Sequence, residues 1–204
     1  ADTGGAMLAA LAIVAALFRR ERTGRGARLD VPMADAALMQ AATASEFAAL
    51  GRPHAAGRTP TAGGLACYRA YRTMDGRWLA VGALEQGFFR RFCDVLGHPE
   101  WTGRQYAPAA QPELRGNIAA EIATRTLADW EGLFSGIDAC VCGSRTFLEA
   151  MAAPEFLARG TVRDVAGRRM LGTPVVTVGD GPPRQGFLAG PGEHTQAVLK
   201  ELGL

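Results

Sequence analysis

The hydrophobic and polar positions divide this chain into blocks of different period. From Ala6 to Phe18 thirteen successive residues are apolar, and Arg19-Arg20-Glu21-Arg22 end the run. This predicts a helix from about Gly4 to Arg22, buried on most of its circumference and stopped at Thr23-Gly24. Asp2 and Thr3 stand where an N-cap belongs, and Gly4-Gly5 allow a close backbone approach to some neighbour. An extended piece or short strand, Ala27 to Val31, leads to a second predicted helix from Pro32 to about Leu50, with Asp30 placed to cap it. The segment "GRPHAAGRTPTAGG" (51–64) has no apolar period and is dense in Gly and Pro, which marks a linker.

Beyond it the period shortens. "CYRAYRTMDGRWLAVGA" reads as a β-hairpin turning on a two-residue Asp75-Gly76 signal. In "EQGFFRRFCDVLG" the residues Phe88, Phe89, Phe92, Val95 and Leu96 fall at helical spacing, predicting a helix from about Gln86 to Leu96 with Gly97 as its C-terminal stop. Further helices are expected at roughly Pro112–Arg125 and Leu127–Phe134, a short buried strand in "DACVCGS", and helix in "TFLEAMAAPEFLARG" up to Ala153. The tail carries strand-like pieces at Val162–Val165 and Val175–Val178, and a last helix at about Glu193–Leu202.

Composition narrows the function classes. The chain has 204 residues, 48% of them hydrophobic, with a net charge of +2. That is enough to bury a core in one or two domains, and it makes no case for nucleic acid or a membrane surface. The apolar run is shorter than the about 20 residues of a bilayer span, and its charges follow it rather than precede it as in a secretory signal. A helix this apolar, with the first residue of the chain at its cap, is expected in a large piece of a longer protein. Cys67, Cys93, Cys140 and Cys142 have neither disulfide-framework nor zinc spacing, so reduced thiols, a cytoplasmic location and no metal site are expected.

No nucleophile elbow, Walker loop or dinucleotide fingerprint occurs. His54, His98 and His194 each lie beside Gly or Pro and read as surface histidines. What remains are two acids at helix starts, Asp2 and Glu85. Such a carboxylate ordinarily caps a helix or complements its dipole. It can also stand ionised beside a developing negative charge, and two of them on opposite sides of a carbon acid would make a two-base proton shuttle.

Several blocks carry a resemblance. "ADTGGAMLAALAIVAALFRRERTGRGARLDVPMADAAL", with its R-x-x-T-G-x-G-x-x-x-D-V-x-M-x-D pattern, resembles class III CoA-transferase family proteins from their active-site Asp onward. "YRAYRTMDGRWLAVGALEQGFFRRFCDVLG", "DACV" followed by a helix and "ARG", and "PGEHTQAVLKELG" continue it in order. The "VGALE" block resembles the α-methylacyl-CoA racemase branch, since transferases tend to carry a glycine-rich loop there. Cys67 stands where the family often has Pro, and "CVCGSRTF" replaces a usual Thr-Pro-Val.

The resemblance implies an α/β, two-domain fold, forming interlocked dimers in the intact family, of which this chain is the C-terminal portion. Residues 1–64 would belong to the large CoA-binding domain, 65–159 to a small α/β domain, and 160–204 to a return segment. It implies Asp2 and Glu85 as acid/base residues on opposite substrate faces. Thr3 and Gly4 would supply backbone donors to an enolate, and Tyr68 would lie near the thioester. The histidine that shares the work of Asp2 belongs to a region ahead of it. The implied substrate is an acyl-CoA thioester, with coenzyme A part of the substrate and no separate cofactor. The implied partner is a second copy or a complementing N-terminal chain. Two alternatives stand beside this: a CoA-transferase in which Asp2 is the acyl-accepting nucleophile, and an inactive partner subunit.

Overall fold

The first helix starts two residues earlier than expected. In the computed structural model, which describes residues 1–51, 57, 59–172, 175 and 189–204, α1 spans Asp2–Thr23 with Ala1 as N-cap. Asp2 is therefore the first helical residue, not the cap, and no side chain caps this end. The helix stops at Gly24, whose left-handed conformation (φ 68°) lets its N–H bond the Arg20 carbonyl at 2.8 Å.

The glycine pair packs against α2 (Met33–Gln40). A Cβ on Gly5 would lie 3.3 Å from Met33 Cγ, and one on Gly4 would overlap the Gln40 amide at 1.9 Å. The Gly-Gly and D-V-x-M motifs are thus two sides of one helix contact. The single helix expected to reach Leu50 is instead two, α2 and α3 (Ala42–Ala49), broken at Ala41. There the Ala41 N–H bonds the Leu38 carbonyl in a tightened turn, while the Gln40 side chain donates back to the Ala36 carbonyl at 3.1 Å. Asp30 caps nothing. Pro32 occupies the N-cap, and residues 27–31 form no strand.

The expected burial of α1 is not found among the described residues. Only Gly5 is buried, and Met7, Leu11, Val14 and Phe18 form a continuous exposed apolar stripe at i, i+4, i+7 and i+11. Among the described residues, α2 meets α1 at its glycine turn. With the arginines in its last turns, α1 is long and apolar enough by length and composition to cross a bilayer. Its uninterrupted apolar run of thirteen residues nevertheless covers only about 20 Å of the about 30 Å hydrocarbon core.

The main hydrophobic core draws on Ala66 to Ala139. Strands β1 (Tyr68–Arg72) and β2 (Trp78–Gly82) pair antiparallel with Tyr68 opposite Gly82 and Arg72 opposite Trp78. Their loop has three residues rather than the expected two: Thr73 N–H bonds the Arg77 carbonyl, and Gly76 takes the left-handed position at φ 75°. Strand β3 (Val141–Gly143) follows β2 in the sheet order. Helix α4 occupies Gln86–Leu96 as predicted and buries Phe89, Phe92, Cys93 and Leu96, one face at i, i+3, i+4 and i+7.

Helices α5 (Gln111–Ile122) and α6 (Leu127–Phe134) complete this core. Leu114, Ile118 and Trp130 are fully buried, and the Trp130 indole donates to the Ile122 carbonyl at 2.8 Å. Thr126 and Asp129 form a capping box on α6. Asp75, in the hairpin loop, accepts from the Thr73 hydroxyl at 2.5 Å and from Leu127 N–H at 3.2 Å, tying the hairpin to the start of α6.

The chain divides into compact units at Ala1–Cys142 and Gly143–Leu204. In the second, α7 (Phe147–Ala152) and α8 (Pro154–Ala158) precede a hairpin of β4 (Val162–Val165) and β5 (Arg168–Leu171), and α9 spans Thr195–Glu201. β4 has the expected bounds, whereas its partner β5 was not expected. The hairpin turns on Ala166-Gly167, both at positive φ (51° and 74°), as a two-residue hairpin requires. The expected strand piece at Val175–Val178 lies outside the described residues apart from Val175, and so does much of the 51–64 linker.

Candidate functional site

Glu85 sits at the corner where β2 gives way to α4. It is the N-cap residue of that helix, with extended backbone (φ −70°, ψ 140°), and its carbonyl accepts from the N–H groups of Phe88 and Phe89 at 3.0 and 3.1 Å. Its carboxylate makes no capping bond and is exposed. An acid in the N-cap position whose side chain caps nothing leaves the helix start electropositive beside it.

The corner itself is held from beneath. Gly82 N–H bonds the Cys140 carbonyl at 2.8 Å, fixing the end of β2 to the chain entering β3, and Leu84 N–H closes a tight turn on the Gly82 carbonyl at 2.9 Å. Buried Gln105 then donates from one amide nitrogen to the Ala83 carbonyl at 3.1 Å and to the Leu84 carbonyl at 2.6 Å. The Tyr106 hydroxyl donates to the same Leu84 carbonyl.

Gln111, also buried, fixes Gln105 in turn by donating to its carbonyl at 2.9 Å, and accepts from Ala66 N–H at 2.8 Å. The Tyr71 hydroxyl donates to the Ala66 carbonyl at 2.6 Å. Cys67 lies beside Gln105. Burial pushes its thiol up, with the Gln105 side chain pulling partly the other way, yet no hydrogen bond of ordinary geometry reaches Gln105 Oε1. Burial first, and then the charges of Cys67 and Glu85, hold the Tyr106 phenol above its usual range. These three glutamine and tyrosine positions escaped sequence reading. They lie in "WTGRQYAPAAQPE", where Gly and Pro signal irregular structure and no period marks a side chain as inward-facing.

Tyr68 opens β1 directly opposite Gly82, at the same end of the hairpin as the Glu85 corner. It lines an open groove of about 800 Å³ with Arg69, Val81, Gly82, Cys140 and Cys142, and a Cβ on Gly82 would lie 3.8 Å from its ring. Asp2, Thr3 and Gly4 lie on α1, which packs against α2. Asp2 and Thr3 are exposed and Gly4 half-buried. The first helical bond runs from Gly5 N–H to the Ala1 carbonyl at 2.7 Å, so the N–H groups of Asp2 to Gly4 precede the ladder and point out of the helix start. No hydrogen bond or ion pair joins Asp2 to Glu85.

Of the histidines, His98 stacks on Trp101 with centroids 4.0 Å apart and pairs with Glu100 at 3.0 Å. His194 is the exposed N-cap of α9, and His54 lies outside the described residues. Among the described residues no cluster of three metal-ligating side chains occurs.

Comparison with known proteins places this geometry in a family. The chain is 32% identical over 210 residues to the α-methylacyl-CoA racemase of Homo sapiens, covering 98% of this chain and 53% of that protein. It is 30% identical over 219 residues to an acyl-CoA transferase of Fusarium pseudograminearum, covering 95% of this chain and 45% of that one. The chain thus spans about half the length of the curated relatives it matches. In fold it is similar to a CAIB/BAIF family protein of Brucella suis, with a TM-score of 0.75 at 24% identity over 98% of this chain and 54% of that one. The family model for CoA-transferase family III matches residues 1–191, and this chain belongs to that family.

Proposed function

We propose that this chain forms part of an isomerase that inverts the α-carbon of a 2-methylacyl-CoA thioester by two-base proton transfer. The observation that carries the reading is Glu85: a carboxylate at a rigid strand-to-helix corner, exposed and not spent on capping, in a chain whose similarity to a racemase extends over 98% of its length. One base takes the α-proton, and the C–H electron pair moves into an enolate whose charge rests on the thioester oxygen. The acid on the opposite face then delivers a proton to the same carbon. The α-C–H is a weak acid, so the rate comes from placing the bases and stabilising that oxygen.

Glu85 serves one face. Asp2 serves the other, with the uncapped N–H groups of Asp2, Thr3 and Gly4 as enolate donors, and Tyr68 lies beside the thioester. Asp2 and Glu85 share no hydrogen bond or ion pair here, so the reading requires the assembled protein to bring them to one substrate. The exposed stripe Met7, Leu11, Val14 and Phe18 offers the face for that assembly, whether with the remaining half of the family length or with a second copy. The chemistry asks for no prosthetic group, and the free thiols suit a reducing compartment such as the cytoplasm.

The similarity to an acyl-CoA transferase favours one second reading, in which Asp2 attacks the thioester, expels the CoA thiolate and carries an acyl anhydride. Hydroxylamine separates the two. Incubation with a 2-methylacyl-CoA, hydroxylamine quench and peptide mass analysis should leave Asp2 unmodified. A hydroxamate at Asp2 would establish the transferase chemistry instead.

A further inference from the structure

The polar groups buried beneath the Glu85 corner are costly features for a core to keep. Gln105 and Gln111 are among only a few buried polar residues in the described part of the chain, and Gln105 sits there with its Oε1 unpaired. An unpaired buried acceptor is a net cost that apolar packing would avoid. What the amide nitrogen does is specific: it ties together two successive carbonyls, Ala83 and Leu84, immediately ahead of Glu85. Tyr106 adds its hydroxyl to the second of them although the residue is 55% exposed, where packing alone gives it little reason to point inward.

A carbonyl has two lone pairs, and at Leu84 both are taken by side chains from one neighbouring segment. The peptide plane joining Leu84 to Glu85 is therefore fixed in rotation, and with it the direction of the Glu85 Cα–Cβ bond. Gln111 holds Gln105 in place by bonding its carbonyl. We propose that Gln105 and Tyr106 are positioning residues for Glu85, acting through the Ala83 and Leu84 carbonyls to aim its carboxylate. The inference rests on the reading of Glu85 as an acid/base group.

The test uses the 204-residue chain itself, labelled for NMR, with Gln105→Leu and Tyr106→Phe. The Phe88 and Phe89 amides donate to the Glu85 carbonyl and report whether the corner opens. Loss of one such bond should speed their hydrogen exchange by about fivefold, and shift or broaden the Glu85 carboxyl-carbon signal at constant pH. Amides in the ladder between Tyr68 and Gly82 should keep their exchange rates. Tyr106→Phe, at an exposed ring, is the safe variant and decides alone if Gln105→Leu does not fold. Exchange within twofold of wild type and an unmoved Glu85 signal in the folded variants would overturn the proposal. In protein that turns over, Tyr106→Phe should lower kcat with KM unchanged. The amide and carboxyl readouts need no turnover, whereas loss of inversion in Glu85→Gln tests the acid/base reading by itself, so the two can fail separately.

Discussion

Replacing Gln111 by Leu probes how far the site depends on its buried amides. Gln111 accepts from Ala66 N–H at 2.8 Å and donates to the carbonyls of Gln105 at 2.9 Å and Ala107 at 3.2 Å, while its fourth contact, to Arg104 at 3.5 Å, is too long to count. Leucine fills a similar volume but pairs with none of them. Two of the stranded groups, Ala66 N–H and the Gln105 carbonyl, belong to buried residues, and each orphaned group costs about 1–3 kcal/mol.

Improved burial of an apolar side chain returns part of this, so the net loss should be about 3 kcal/mol. With a urea dependence of about 1–3 kcal/mol per molar, the midpoint should fall by at least about 1 M. Urea titration followed by the fluorescence of the fully buried Trp130 measures this. Glu113→Ala, which breaks an exposed pair with Arg104 at 2.6 Å, is the control and should change stability by less than about 1 kcal/mol. A Gln111→Leu midpoint as little altered as that of the control would show that the amide network does not hold this body together.

Other outcomes follow from the same structure. A thiol reagent should modify Cys140 and Cys142 in the native chain and all four cysteines only after unfolding, because Cys67 and Cys93 are buried and burial pushes the Cys93 thiol up to about 12; native labelling of Cys93, read by peptide mass, would contradict this. The Thr73 hydroxyl, and then the Leu127 N–H, hold the Asp75 carboxyl below its usual range. Its contribution is therefore present above the unfolded value of about 3.9 and lost as pH falls through the folded one. Asp75→Asn should accordingly show a shallower loss of stability between pH 5 and 3 in acid titrations, and an unchanged slope would refute the linkage.

What could be read from the residues was whatever a period or a fixed turn chemistry marks. The Phe-rich helix declares itself through an unbroken 3.6-residue spacing and a glycine stop, and its bounds came out as expected. The glycine pair signalled a close approach, and Met33 and Gln40 prove to be what approaches. Patterns that depend on a neighbour were less legible. The α1 stripe looked like a buried helix because side chains alone do not say whether a packing surface is present. The break at Ala41 falls in a stretch with neither Gly nor Pro to mark it. The turn at Ala166 uses a residue that rarely takes positive φ. Among the candidate residues, Asp2, Glu85 and Tyr68 stood out through position and resemblance, whereas Gln105, Tyr106 and Gln111 gain meaning only once the β2–α4 corner folds over them.

The central claim is that Glu85 is one of two bases acting on opposite faces of a carbon acid. It is tested most directly by following both enantiomers of a 2-methylacyl-CoA in deuterated water. The assay uses Glu85→Gln and wild type, in protein where this chain is completed by the half of the family length it does not span. Either direction of inversion uses Glu85 once, as base or as acid, so the substitution should slow both by about a hundredfold or more. Wash-out of the α-proton should survive for the one enantiomer whose hydrogen faces Asp2, since that base can take the proton and return a deuteron to the same face. Inversion of both enantiomers by Glu85→Gln at near wild-type rate would contradict the account and leave Glu85 a helix-start carboxylate.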